Sequence, residues 1–468
     1  MPAERGSHRE ARRVGRAGPG RPHHARRRSL TRPASARTHP APAEDEPNSS
    51  LAGSVQRTAY GPTLAAMTDV LRRGRASLAF GFFVQGVAFA LLVTRIPAMQ
   101  DRYGVSDGLL PVFLAAVPIL AGVGSVTTER LVRRVRPSRL LRWSQPVVLL
   151  ALLGVGTGDQ VAELAVVLGV FGLSVGMLDA SMNMLGVSLQ RAYGRSIMLS
   201  FHAAYSLGGI LGASLAWVGA HEELTLWMSY LPVVVVLLPA VLVGSRWYVD
   251  GEAAAPEAPG ETQGVAFRLL LPLCLVMTFA YIGDSTVSNW SAKYVKDVLG
   301  GSEQLATVPY NVYMVTTLVG RAVGDLGVRR FGAVAVVRLG ALVAACGFVV
   351  VAVAPRAWVG MLGFTLLGIG LCVLVPQTFA AAGRLFPGAS DAAVARLNIF
   401  NYVGFLVGSP LVGALGEAWS YRGAMLVPMA LVLVTTVYAR SFASGGDRYG
   451  GGHERPRTVD VGRGSNGL

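Results

Sequence analysis

Asp179 and Asp284 stand in otherwise apolar stretches, one in each half of the chain, and a carboxylate so placed can bind and release a proton. A charged side chain at the bilayer centre costs on the order of 2.5–3.5 kcal/mol on insertion scales, so each acid should face a polar cavity. In Gly172-x3-Gly176-x2-Asp179-x3-Asn183 the named residues fall within ~60° on one helical face, and the glycines would admit a neighbouring helix closely. Two readings of Asp179 are open, a titrating group and a buried strut bonded to Asn183 or His202. Asp284, in FAYIGDSTVSNWS, either titrates or sits solvated near the outer mouth. His202, one turn from Ser206, is either a packed hydrogen-bond donor or a proton relay. Tyr281, Asn311, Tyr313, Gln377, Asn398 and Asn401, with Asn183 and Ser206, offer hydroxyl and amide contacts suited to a polar uncharged solute. Arg95, at the end of the first apolar run, either reaches the interface or pairs with an acid as a gate.

Other chemistries find no support. The glycine-rich stretches lack the strand and lysine of a phosphate loop, so no ATP motor is expected. No metal-ligand spacing and no nucleophile with its base is evident, so neither a cofactor nor an enzyme activity is expected. Cys274, Cys346 and Cys372 lie in apolar segments and read as small packing residues.

The surroundings of these residues are those of a membrane protein. Apolar residues make up 52% of the 468, and charged residues only 15%. Soluble domains carry roughly 25% charged residues, and the mean hydropathy here is +0.47. The net charge of +15 does not indicate nucleic acid, because residues 1–66 hold 12 arginines against five acids and most of the remainder falls in loops on one side.

Twelve spans are predicted, at 77–97, 109–128, 144–157, 161–187, 197–219, 226–245, 267–288, 306–323, 333–354, 358–380, 396–416 and 420–440. Arginines cluster in alternate loops, which puts both termini in the cytoplasm by the positive-inside rule. The expected organisation is a basic disordered extension over 1–66, a six-helix bundle over 67–246, a cytoplasmic linker over 247–264, a second bundle over 265–440 and a disordered tail over 441–468. Met67 followed by Arg72, Arg73 and Arg75 resembles a conventional membrane-protein start, so residues 1–66 are read as an over-extended gene start. The fold class expected is all-α.

The two halves repeat each other at a constant offset of 196 residues. Gly124, Glu129, Arg133, Arg134 and Arg142 match Gly320, Asp325, Arg329, Arg330 and Arg338; His202, Tyr205, Gly208 and Gly212 match Asn398, Asn401, Gly404 and Gly408. Two similar bundles can rock about a shared midplane site, as secondary transporters do. The paired loops, GSVTTERLVRRV and GRAVGDLGVRRFG, place an acid at a helix end one turn before two arginines. Such a set (Gly320, Arg321, Gly324, Asp325, Arg329 and Arg330 in the second half) can form a charge relay that locks the cytoplasmic side, Asp325 with Arg329 or Arg330 being the stronger pair.

These loops resemble the signature of the major facilitator superfamily. Further residues resemble the branch around fucose permease and related bacterial inner-membrane proteins. They are Arg95-Ile96-Pro97, the span-4 motif ending at Asn183, Phe201-His202-x2-Tyr205-Ser206-x-Gly208-Gly209, Asn289-Trp290-Ser291, Gly368-x-Gly370-x5-Pro376 and Ala381-Ala382-Gly383-Arg384. The resemblance, over about 75–440, implies two six-helix pseudo-symmetric bundles and alternating access for a small, sugar-like solute. It implies a monomer in the lipid bilayer of the inner membrane, with Asp179 where related transporters carry an acid for proton or sugar handling. One departure stands in the second half: where the branch has a glutamate and then an aspartate before Trp-Ser, this chain has Asp284 and then Asn289. Export of amphipathic compounds and a non-transporting sensor are the alternatives; a sensor should have lost the intramembrane acids.

Overall fold

Apolar runs with few charges fold here as helices, because in hydrocarbon each backbone N–H and C=O must find its partner within the segment. The computed structural model describes residues 64–106, 109–251, 266–302, 305 and 308–443, and the expectations for 1–63, most of the linker and 444–468 lie outside them. The first half comprises α1 (Leu64–Thr94), the short α2 (Ile96–Tyr103), α3 (Leu110–Leu131), α4 (Pro137–Val155), α5 (Val161–Tyr193), α6 (Met198–His221) and α7 (Leu226–Gly244). The second comprises α8 (Phe267–Lys293), α9 (Val308–Phe331), α10 (Ala333–Val353), α11 (Ala357–Leu371), α12 (Leu374–Leu385), α13 (Ser390–Ala418), α14 (Tyr421–Ala424) and α15 (Leu426–Tyr438). Among the described residues nine spans are long and apolar enough to cross a membrane. With α3, α4 and α9 they make up the two sets of six.

The tenth span is broken into α11 and α12. Pro376 has no N–H to give the carbonyl four residues back, so the ladder fails at Cys372 and Val373 and restarts.

Glycines set the helix spacing. A Cβ on Gly208 would stand 2.0 Å from the Phe83 carbonyl oxygen, and one on Gly212 would stand 2.5 Å from that of Val87, so α6 lies directly on the backbone of α1. Gly404 and Gly408 press in the same way on Thr278 and Ile282, laying α13 on α8. The repeat read from sequence is thus a repeat of contacts. Gly172 and Gly176 bring α5 onto α3, where an added Cβ would meet the carbonyls of Val117 and Ala121 at 2.9 and 1.9 Å.

Residues after α7 stay with the first half. Asp250 accepts from the backbone N–H and hydroxyl of Ser138 at the start of α4, and the Tyr248 hydroxyl donates to Gln145. Arg95 is buried and donates to the Leu224 carbonyl at 2.7 Å, tying α1 to the loop between α6 and α7. Among the described residues it pairs with no acid.

Candidate functional site

Asp179 lies where the halves meet. Its Oδ1 accepts from the Gln85 amide of α1 at 3.3 Å, and its Oδ2 accepts from the Asn401 amide at 3.1 Å and the Tyr402 hydroxyl at 3.0 Å, both on α13. Asn401 also donates to Asn398, which is fully buried. The carboxylate is thus a joint between α5 of one half and α13 of the other. The strut expected with Asn183 or His202 is not formed: Asn183 donates to the main-chain carbonyl of Asp179, an ordinary one-turn contact.

Asp284 accepts from the Tyr313 hydroxyl across the α8–α9 interface. Tyr205 and Tyr281 lie within Coulombic reach of both carboxylates and of Arg321, so the two acids share one set of phenol neighbours. Asn289, at the position where the branch has its second acid, is exposed and donates to its own helix at Ser285. Asn311 is exposed, near the start of α9.

Three expectations change position. Arg321 was grouped with the closing loop, but it sits ten residues inside α9, ~15 Å from that helix's basic end. There it donates to the Ser206 hydroxyl at 2.7 Å and is within Coulombic range of Asp284 and His202. Gln377 was expected in the cavity; it is fully buried at the closed end, its amide 3.5 Å from Ser196. His202 is 7% exposed and packs between Phe82 and Phe379 at 5.4 and 6.2 Å, with Nε2 lacking a partner. It is neither a donor in a network nor bonded to an acid.

The closing loops also pair differently. Asp325 accepts from the Ser196 hydroxyl at 2.7 Å and from the backbone N–H groups of Leu199 and Ser200 at 3.3 and 2.9 Å, so it caps the N-terminus of α6. Arg329 donates to the Ser196 carbonyl, while Arg330 is exposed against Phe331. Glu129 pairs with Arg396 at the start of α13; Arg133 and Arg134 are exposed. Burial of each acid at a seam favours a partner from the facing half over a solvated arginine on its own helix. Gly324 makes the approach possible, since its Cβ position is 2.4 Å from Leu199, and Gly320 abuts Cys372. Ser125 donates to the Ala395 carbonyl, and Arg191 donates to Pro387 and Ser390. Among the described residues, the hydrogen bonds that join the halves run from the level of Asp179 to the basic ends.

The residues sequence reading missed are Gln85, Tyr205 and Tyr402. A lone amide in FGFFVQGVAFALL was a signal for the first; Tyr205 stands in the repeat and in the span-5 motif without a site role, and Tyr402 adjoins Asn401. A separate cavity of about 350 Å³ opens sideways between α3 and α13, lined by apolar side chains with Arg130 and Tyr402 at its wall.

Two bundles of six, repeated in sequence and in contacts, now meet a family match. The Major Facilitator Superfamily profile matches residues 28–213 and 273–457. The chain belongs to this superfamily. An uncharacterised MFS-type transporter of Yersinia pestis is 27% identical over 377 residues, covering 78% of this chain and 95% of that protein. FucP, the E. coli fucose:proton symporter, in its outward conformation, superimposes with a TM-score of 0.67 at 17% identity, over 79% of this chain and 98% of FucP. The human organic anion transporter MFSD10 gives 0.67 at 15%, over 79% of this chain and 99% of its own. At those identities the likeness to the two solved structures is one of fold. As a member of the superfamily the chain is a multi-pass membrane protein.

Proposed function

We propose that the protein is a proton-coupled secondary transporter of a small polar solute, sugar-like in size and hydroxyl content, working by alternating access in the bacterial inner membrane. The observation that carries this is Asp179. Its carboxylate holds Asn401 and Tyr402 of the other half, so binding a proton there removes acceptor capacity from a bond between the halves. Loss of charge and loosening of the seam are then one event, which links proton binding to rocking. Asp284 gives the second half an acid with the same phenol neighbours. The fucose:proton symporter among the structural neighbours fits this reading. With the arginine-rich loops placed in the cytoplasm, the contacts of Glu129 and Asp325 across the halves would act as latches on the cytoplasmic side.

The test is uptake into proteoliposomes under an imposed pH gradient. Asp179→Asn with Asp284→Asn should abolish proton-driven accumulation while leaving exchange of labelled solute across the membrane. Accumulation that ignores the gradient in the unmodified protein, or survives in the double variant, removes proton coupling.

One observation favours a second reading, export of amphipathic compounds. The apolar cavity between α3 and α13 reaches Tyr402, a partner of Asp179, and gives a lipid-side route to the same acid. Proton-dependent efflux of a lipophilic cationic dye, lost on Asp179→Asn, would decide for it.

A further inference from the structure

The proton mechanism makes no use of Arg321, a cation ten residues inside a membrane span. A guanidinium inside a membrane span is expected to find a counter-charge or a ring of acceptors. Among the described residues its single hydrogen bond is to the neutral hydroxyl of Ser206, and its Nε is buried without a partner. Asp284 is near enough to feel its charge, yet the two form no ion pair within 4.0 Å, and Asp284 is bound to Tyr313 instead. Ser206 is itself held in place, donating to the His202 carbonyl at 3.1 Å. Tyr205, Tyr281, Tyr310 and Tyr313 lie within Coulombic reach and bring hydroxyl groups and ring edges.

We propose that Arg321 anchors a carboxylate on the transported solute, with the Ser206 hydroxyl fixing the guanidinium beneath it. The inference rests on the transport reading above and names the substrate class of that same site: a hydroxylated monocarboxylate, of the sugar-acid kind. A guanidinium presents parallel N–H groups that match the two oxygens of a planar carboxylate. The hydroxyl-bearing remainder of such a solute would meet Tyr205, Tyr281 and the polar cluster at Asp179. A phosphate or a dicarboxylate fits less well, because a second negative charge would face Asp179 and Asp284 with a single cation to offset it. Asp284 in turn has a role besides coupling: left out of contact with Arg321, it keeps that cation available to the solute.

The test compares matched pairs, D-glucose with D-glucuronate and D-galactose with D-galacturonate, by equilibrium binding and thermal stabilisation of the purified full chain. The uronate should bind about tenfold or more tightly than its neutral sugar, as expected for a charge-assisted bond made by one member of a pair. Arg321→Gln should erase that difference. Arg321→Lys should keep the sign of the preference and lower its size, which also serves if the glutamine variant does not fold; Ser206→Ala should weaken the uronate more than its neutral sugar. The proposal is overturned if the neutral sugars bind as well as the uronates, if no uronate binds, if glucose 6-phosphate binds in their place, or if Arg321→Lys and Arg321→Gln both keep the full preference. A neutral sugar that binds and is accumulated through Asp179 would remove the anchor and keep the transporter. A carboxylate preference dependent on Arg321, with no effect of Asp179→Asn and Asp284→Asn on accumulation, would keep the anchor and remove the coupling.

Discussion

Single side chains decide how close the helices come and what the acids touch. Gly176 is the sharpest case, because its Cβ position lies 1.9 Å from the Ala121 carbonyl oxygen, a backbone atom that can yield only if α3 moves. Gly176→Ala should therefore lower stability by about 1–3 kcal/mol, read as thermal unfolding in detergent. Gly169→Ala, seven residues away on the same helix, would meet nothing nearer than a Leu120 methyl at 3.8 Å and should be neutral or slightly stabilising. Equal losses at the two positions would show that backbone contact does not set the α3–α5 spacing. The spacing of Gly172, Gly176, Asp179 and Asn183 was legible as one face because helical period is a local property. That Asp179 would bind Asn401 and Tyr402 was not, since those partners lie more than two hundred residues along the chain.

At the scale of elements, the closed end is built from helix termini meeting across the seam. Asp325 satisfies backbone N–H groups at the start of α6 where a positive dipole end favours a carboxylate, and Glu129 meets Arg396 at the start of α13. Residues 200 and 396 are themselves one repeat apart, as are 129 and 325, so each half closes on the other through equivalent places with different chemistry. The Asp325 latch is buried and the Glu129–Arg396 latch half-buried, and each is worth on the order of 1 kcal/mol. Glu129→Gln with Asp325→Asn, removing about 2 kcal/mol in all, should then shift the closed-to-open ratio roughly thirtyfold. Spin labels at Arg134 and Leu385, both exposed at this end, would report it as growth of a longer-distance population in a background lacking Cys274, Cys346 and Cys372. An unchanged distance distribution would mean that apolar packing alone holds the seam.

The whole molecule is two copies of one packing arrangement, with acids in both and an arginine in the second. Rocking requires the basic ends to part, and the Ser125 hydroxyl is 3.0 Å from the Ala395 carbonyl across that seam. A disulfide between Ser125→Cys and Ala395→Cys, in the cysteine-free background, should stop transport reversibly, restored by reductant, while solute binding from the opposite face persists. Transport that continues with the bond formed would contradict rigid alternation of the halves.

Hydropathy, arginine placement and the offset of 196 residues determined by themselves the spans, the tandem repeat and the two intramembrane acids. Each is a statement about neighbours along the chain or about a segment's preference for lipid. Tertiary structure alone decided who meets whom. Arg321 and Asp325 are one helical turn apart and looked like one motif, but that turn is ~6 Å of depth. It carries Asp325 to the α6 terminus at the seam and leaves Arg321 beside Ser206, because the surface each side chain faces is set by the facing half of the protein.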